Sequence, residues 1–203
     1  MWTWSLNWGE ISPQLVVGAC PMTAADVSRI RKGTEVSAIL SLQHDECLAY
    51  WGIDYDAIRD QAARLGLAID RCPVRDFDIP NQRERLPYAV AALNRFLAEG
   101  HRTYVHCTAG LGRSPLAVLG YLSWLEGRPA GEAMHMILRA RPGAVPAWEA
   151  YQGCHEDLVA RYGARIARRA HELHEKDRRA SALENWNTAE SQVLQSVLRE
   201  WDG

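Results

Sequence analysis

The sequence predicts an α/β domain on a central, mostly parallel sheet flanked by helices, followed by a C-terminal helical extension. Three observations predict it. Short apolar, β-branched runs alternate with helical patterns from Leu15 to Ala140. The run Thr103-Tyr104-Val105-His106 passes directly into a glycine-bearing loop and then into a helical pattern. From about Trp148 onward strand patterning stops and only helical periodicity remains.

Leu15-Val16-Val17 before Gly18 is the first strand expected, and Val36 to Leu42 the second. Ala68 to Val74 and Thr103 to His106 complete a set of four. A helix is predicted over about Thr23 to Lys32, with Thr23 as N-cap and Asp26 in its favoured first turn. Others are expected over about Ile53–Leu65 and Arg83–Glu99, the latter placing Leu86, Val90, Leu93 and Leu97 on one face. After Arg113, the positions Ala117, Val118, Tyr121, Leu122 and Leu125 trace a helix ending near Gly127, and another spans about Ala130 to Ala140. In the tail, Leu183, Trp186, Val193, Leu194, Val197, Leu198 and Trp201 form a strong apolar stripe beyond a charged stretch, Arg165 to Arg179. The reading is a catalytic domain over 1–154 and a helical extension over 155–203. The stripe must bury against the domain or against a second copy, so a homodimer through these helices is one expected partner.

Composition narrows the function classes. A chain of 203 residues with a net charge of −2 gives no global attraction for nucleic acid or an anionic membrane, and neither is expected as a partner. No apolar run approaches the roughly 20 residues that cross a bilayer. The opening Met1-Trp2-Thr3-Trp4-Ser5 has neither the basic flank nor the apolar core of a signal peptide. Cysteines 20, 47, 72, 107 and 154 are odd in number and include no C-x-x-C pair, which points to reduced thiols in a cytoplasm.

The chemistry lies in His106-Cys107-Thr108-Ala109-Gly110-Leu111-Gly112-Arg113-Ser114. Glycines 110 and 112 let the loop curl so that the backbone N–H groups of residues 108–113 point inward, and the following helix adds its positive end. Thr108, Ala109, Gly110, Leu111, Gly112 and Arg113 are therefore the expected phosphate cradle. Cys107 at its mouth sits in a field that favours the thiolate, and Arg113 can clamp two phosphate oxygens. Ser114 is placed to hydrogen-bond the cysteine and help it leave. A buried, inert cysteine is the commoner use of that residue; the preceding strand, the two glycines and the following helix select the catalytic use. His106 reads as a structural residue that hydrogen-bonds the loop. An alcohol leaving group also needs a proton donor, and Arg75-Asp76-Phe77-Asp78 follows a strand at the same sheet edge. Asp76 is the first candidate for this acid and Asp78 the second. No cofactor or metal is expected.

With these residues in place, the chain resembles the dual-specificity branch of the protein tyrosine phosphatase superfamily, and within it the plant starch-excess and laforin-type glucan phosphatases. The loop follows their Cys-polar-Ala-Gly-apolar-Gly-Arg pattern, and Arg75-Asp76-Phe77-Asp78 is similar to the plant Arg-Asp-x-Asp loop, where the first Asp is the acid. The resemblance covers roughly residues 8 to 150 and implies the dual-specificity-phosphatase fold and hydrolysis through a phosphocysteine. The segment Leu42 to Asp54 resembles a recognition segment whose aromatics stack on sugar rings, which makes Tyr50, Trp51 and Phe77 the expected substrate contacts. A phosphorylated glucan is the implied substrate; a phosphoprotein carrying phosphotyrosine or phosphoserine/threonine is the alternative. The sequence departs from the plant pattern in two ways: Arg141-Pro142-Gly143-Ala144-Val145 carries no aromatic where the plant enzymes present one, and the remaining length, wholly helical in pattern, leaves no room for an additional carbohydrate-binding domain.

Overall fold

The computed structural model describes residues 4–201. Met1–Thr3, which open the segment read against a signal peptide, lie outside the described residues, as do 202–203. In chain order the strands are β1 (Trp8–Ser12), β2 (Leu15–Gly18), β3 (Ala38–Gln43), β4 (Ala68–Val74) and β5 (Thr103–His106). The helices are α1 (Ala24–Thr34), α2 (Asp45–Trp51), α3 (Tyr55–Arg64), α4 (Ile79–Ala98), α5 (Arg113–Gly120), α6 (Ala130–Ala140), α7 (Trp148–Lys176) and α8 (Ala182–Arg199). The five strands form one sheet in the order β1-β2-β5-β3-β4. β1 and β2 pair antiparallel; the other three pairings are parallel.

Two cores sandwich the sheet, and each inner strand feeds both by simple alternation. Leu15 and Val17 of β2, Ala38, Leu40 and Leu42 of β3, and Val105 of β5 face the larger core with α4, α5 and α6. Val16, Ile39 and Tyr104 face the smaller core with Val27 and Ile30 of α1 and Ile58 and Ala62 of α3. This order puts β5 in the middle of the sheet, so the loop leaving it emerges at the centre of the C-terminal edge, where parallel sheets hold ligands.

Local chemistry explains the element ends. Thr23 and Asp26 form a reciprocal capping box on α1. Gly52, at φ +63°, stops α2, and Asp54 caps α3 through the Ala57 N–H at 3.0 Å. The helix expected over Ile53–Leu65 is thus α3, and α2 is an additional helix. β1 is likewise an additional strand: its sequence, Trp-Gly-Glu-Ile-Ser, carries only Ile11 as a buried residue and is recruited by pairing with β2. Gly9 is required there because a Cβ would stand 1.8 Å from the Ala140 carbonyl oxygen. The helix after Arg113 changes to a π-helical turn over Tyr121–Leu125, where Ser123 returns its hydroxyl to the Leu119 carbonyl at 2.7 Å.

The charged stretch from Arg165 lies largely within α7, which runs to Lys176, and position 154/155 falls inside that helix. Ala150, Tyr151, Cys154 and Leu158 of α7 join the larger core; Ile166 packs with Ala189, Val193 and Val197 of α8 in a third cluster. Leu194 and Leu198 of α8 also enter the larger core. Each such leucine contributes about 1.5–3 kcal/mol through burial, so the stripe is covered by its own chain. Leu183 is the exception; it stands 69% exposed, outside the covered face.

Candidate active site

The loop between β5 and α5 is shaped by close contacts beneath it. Gly110 adopts φ +72°, and a Cβ there would stand 2.4 Å from the Gly18 carbonyl oxygen, so only glycine closes the turn. Among the described residues no side chain caps the N-terminus of α5, which leaves its backbone N–H groups turned toward the loop. Cys107 lies at the floor. Burial pushes its thiol up, but the Arg113 charge, the Ser114 hydroxyl and the backbone N–H groups of Ser114 and Gly110 outweigh burial and hold it below the ordinary thiol value. Ser114 Oγ stands 3.5 Å from Cys107 Sγ. By contrast, burial pushes the Cys20 and Cys154 thiols up to about 12 and raises that of Cys72.

His106 is fully enclosed. Burial, aided by the Arg113 charge and opposed by a hydrogen bond to the Cys107 carbonyl, pushes its imidazole down to about 4. It is therefore neutral near pH 7, and Nδ1, 2.9 Å from that carbonyl oxygen, is its donor. This is the structural role expected of it.

Arg113 reaches away from its helix toward the β4–α4 loop. Nη2 donates to Asp76 Oδ2 at 2.7 Å and to Thr108 Oγ1 at 3.1 Å; Nη1 donates to the Val74 carbonyl at 2.9 Å and to Cys47 Sγ at 3.3 Å. The structure separates the two aspartates: Asp76 pairs with Arg113 and lines the same cleft as Cys107, whereas Asp78 is the N-cap of α4, accepting the Asn81 N–H at 2.9 Å. Between them Phe77 takes a left-handed conformation at φ +57° and is 93% exposed. A non-glycine residue bears strain of order 1–3 kcal/mol there, and the loop spends it on turning Phe77 outward while Asp76 turns inward.

Above this floor opens a cleft of about 830 Å³ reached by Cys107, Asp76, Phe77, Tyr50, Trp51 and Val145. Tyr50 is 81% exposed and meets the half-buried Trp51 edge to face at 5.3 Å. The three expected aromatics therefore border one opening. Three residues of the site were missed by sequence reasoning. Cys47 lines the cleft; Gln43, buried at the end of β3, reaches Thr108 Oγ1 at 3.4 Å; Arg141 holds loop carbonyls from below. The strand expected over Val36–Leu42 stops one residue short of Gln43, which falls only within the Leu42–Asp54 segment, and the Arg141–Val145 segment stands out in sequence only for its missing aromatic. Among the described residues no group of three or more metal-ligating side chains converges.

A thiol held below its ordinary pKa on the floor of an N–H-lined loop, with an arginine and an aspartate at its rim, is the constellation of a cysteine-dependent phosphatase. The model of the dual specificity phosphatase catalytic domain matches residues 49–152, and the chain belongs to that family. Among curated proteins it is 36% identical over 156 residues to the phosphoglucan phosphatase DSP4 of Castanea sativa, covering 76% of this chain and 41% of that one. It is 26% identical over 169 residues to laforin of Mus musculus, covering 78% of this chain and 51% of that one. The phosphoglucan phosphatase LSF1 of Arabidopsis thaliana is 33% identical over 120 residues, with 59% and 20% covered. The chain thus spans about half or less of the length of these relatives. Among solved structures, PTPMT1 superposes with a TM-score of 0.60 at 19% identity, over 77% of this chain and 99% of that one. Tk-PTP in its active form gives 0.60 at 24%, over 73% and 94%. Both share the fold. Among the described residues no helix is long and apolar enough to cross a membrane.

Proposed function

We propose that this chain removes phosphate from a phosphorylated α-glucan. The observation that carries the reading is the pairing of two highly exposed rings, Tyr50 and Phe77, with the thiol floor of one cleft. Sugar rings lay their C–H faces on such surfaces, and exposed aromatics of this size otherwise cost solubility. The relatives named phosphoglucan phosphatases support the same substrate class.

The reaction is a double displacement. The Cys107 thiolate attacks phosphorus while the ester P–O bond breaks, and Asp76 gives its proton to the departing sugar oxygen. Arg113 and the N–H groups of residues 108–113 hold the three equatorial oxygens. Water then attacks the phosphocysteine and passes a proton to Asp76; the P–S bond breaks, and Ser114 stabilises the returning thiolate. Tyr50, Trp51 and Phe77 receive the glucan. Residues 1–154 act as the catalytic unit and 155–203 as a helical extension. A reducing, cytoplasm-like location suits a reaction that needs Cys107 free, and the five cysteines are unpaired. Exposed Leu183 is what the C-terminal stripe leaves to support a homodimer.

The test compares phosphate release from phosphorylated amylopectin or glycogen with release from phosphotyrosine and phosphoserine peptides. Preference for glucan is the expected result. A preference for peptides by orders of magnitude would sink the substrate assignment and favour a dual-specificity protein phosphatase.

A further inference from the structure

We propose that Arg141 is a positioning residue that aims the phosphate cradle: its guanidinium holds two successive loop carbonyls outward, so that the intervening N–H groups face the substrate phosphate. The inference rests on the phosphatase reading of the loop but not on the identity of the substrate.

A cradle built from inward N–H groups needs its carbonyls turned away, and each buried carbonyl then needs a donor outside the cradle. Every carbonyl of the loop has one. Cys107 O accepts from His106 Nδ1 at 2.9 Å, and Thr108 O from the Cys20 N–H at 3.0 Å. Ala109 O accepts from Arg141 Nη2 at 2.6 Å, and Gly110 O from Arg141 Nε at 3.1 Å. Leu111 O accepts from the Val145 N–H at 2.6 Å, and Gly112 O from the Leu116 N–H at 2.9 Å. Backbone or the adjacent histidine serves four of the six. The two at the tip of the turn, around left-handed Gly110, depend on one side chain from a distant helix end.

That side chain is itself fixed. Arg141 follows α6, its N–H is bonded to the Ile137 carbonyl at 2.7 Å, and its own carbonyl accepts from the Ala144 N–H at 3.0 Å. It is 8% exposed, so its fork is held in place beneath the loop. A Cβ on Gly110 would meet Arg141 Nη2 at 3.0 Å and the Gly18 carbonyl at 2.4 Å, which shows how tightly the tip is wedged. The Arg141–Val145 segment therefore braces three consecutive carbonyls, 109 to 111. Glycine at 110 makes a peptide flip easy, and a flipped peptide would point a carbonyl oxygen at the incoming phosphate dianion. The guanidinium fork matters here more than its charge. A lysine ammonium is a point donor and cannot match both carbonyls in this planar geometry.

The experiment uses the full chain with R141K and R141M. It measures kcat and KM for para-nitrophenyl phosphate, the inhibition constant of inorganic phosphate, the pH midpoint of Cys107 alkylation by iodoacetamide, and thermal unfolding. Both variants are expected to weaken phosphate inhibition and lower kcat/KM by roughly 10- to 100-fold, with the alkylation midpoint shifted upward. A wild-type phosphate constant and midpoint in R141K would overturn the need for the fork. A lowered melting temperature with both readouts unchanged would overturn the positioning role in favour of a purely structural one. If R141M does not fold, R141K carries the test. Wild-type protein inert toward para-nitrophenyl phosphate would count against the phosphatase reading itself; phosphate affinity and alkylation still decide the role of Arg141.

Discussion

Arg113 donates an Nη2 N–H to Asp76 Oδ2 at 2.7 Å, joining the cation proposed to hold phosphate to the group proposed to protonate the leaving oxygen. The arginine is almost wholly buried and the carboxylate about one-third exposed, so an entering phosphate competes with Asp76 for a fixed donor. Removing the carboxylate in Asp76→Ala is expected to tighten inhibition by inorganic phosphate by roughly 2- to 10-fold. The same variant should slow alkyl phosphate cleavage by roughly 10²- to 10⁴-fold, and para-nitrophenyl phosphate far less, because a good leaving group needs no proton. Asp78→Ala instead removes a helix cap and should cost about 1 kcal/mol of stability. Equal kinetic losses in the two variants would undo the assignment of the acid.

Cys107→Ser should abolish turnover and retain binding of inorganic phosphate, because the serine hydroxyl is a far weaker nucleophile in an otherwise unchanged cradle. Turnover above background in Cys107→Ser, or loss of phosphate binding measured by calorimetry, contradicts the role given to this thiol.

His106 has a consequence for stability. Its imidazole is pushed from 6.5 down to about 4 in the fold. Below pH 6.5 the unfolded chain takes up a proton that the folded chain does not, so the contribution is complete above 6.5 and lost progressively as pH falls to 4. The loss is about 3 kcal/mol across that window. Urea unfolding between pH 4 and 7 should show this slope, and His106→Asn should remove it. An unchanged slope in His106→Asn assigns the pH dependence elsewhere.

Val145 borders the cleft at 75% exposure, where an aromatic side chain would extend the wall begun by Phe77 and Tyr50. Val145→Phe is expected to raise the ratio of glucan to para-nitrophenyl phosphate turnover by roughly 2- to 10-fold, the scale of one added stacking contact. Phe77→Ala should lower the same ratio. No movement in either variant removes the aromatic rim from substrate recognition.

The cradle was legible because its chemistry is contiguous. Turn, proposed nucleophile, cation and helix start all lie between His106 and Ser114, and local sequence dictates how such a stretch folds. Strands β2 to β5 and helix α1 were legible for the same reason, through period and caps. β1 was not, because its residues carry no pattern of their own and it becomes a strand only by pairing with β2. α2 was not, because a seven-residue helix with no buried residue has no apolar face to display.

By itself, then, the sequence determined the α/β alternation, the thiol and its loop, and an acidic segment arriving at the same edge. Tertiary structure alone decided which aspartate faces Arg113, since Asp76 and Asp78 differ only in which way a strained turn at Phe77 points them. It also decided that the apolar stripe of α8 closes on its own chain, and that Arg141 and Gln43 come under the loop from 31 and 65 residues away. The physical reason is one of range: turns, caps and periodicity are set by neighbours along the chain, whereas a buried carbonyl takes whatever donor the packed fold brings to it.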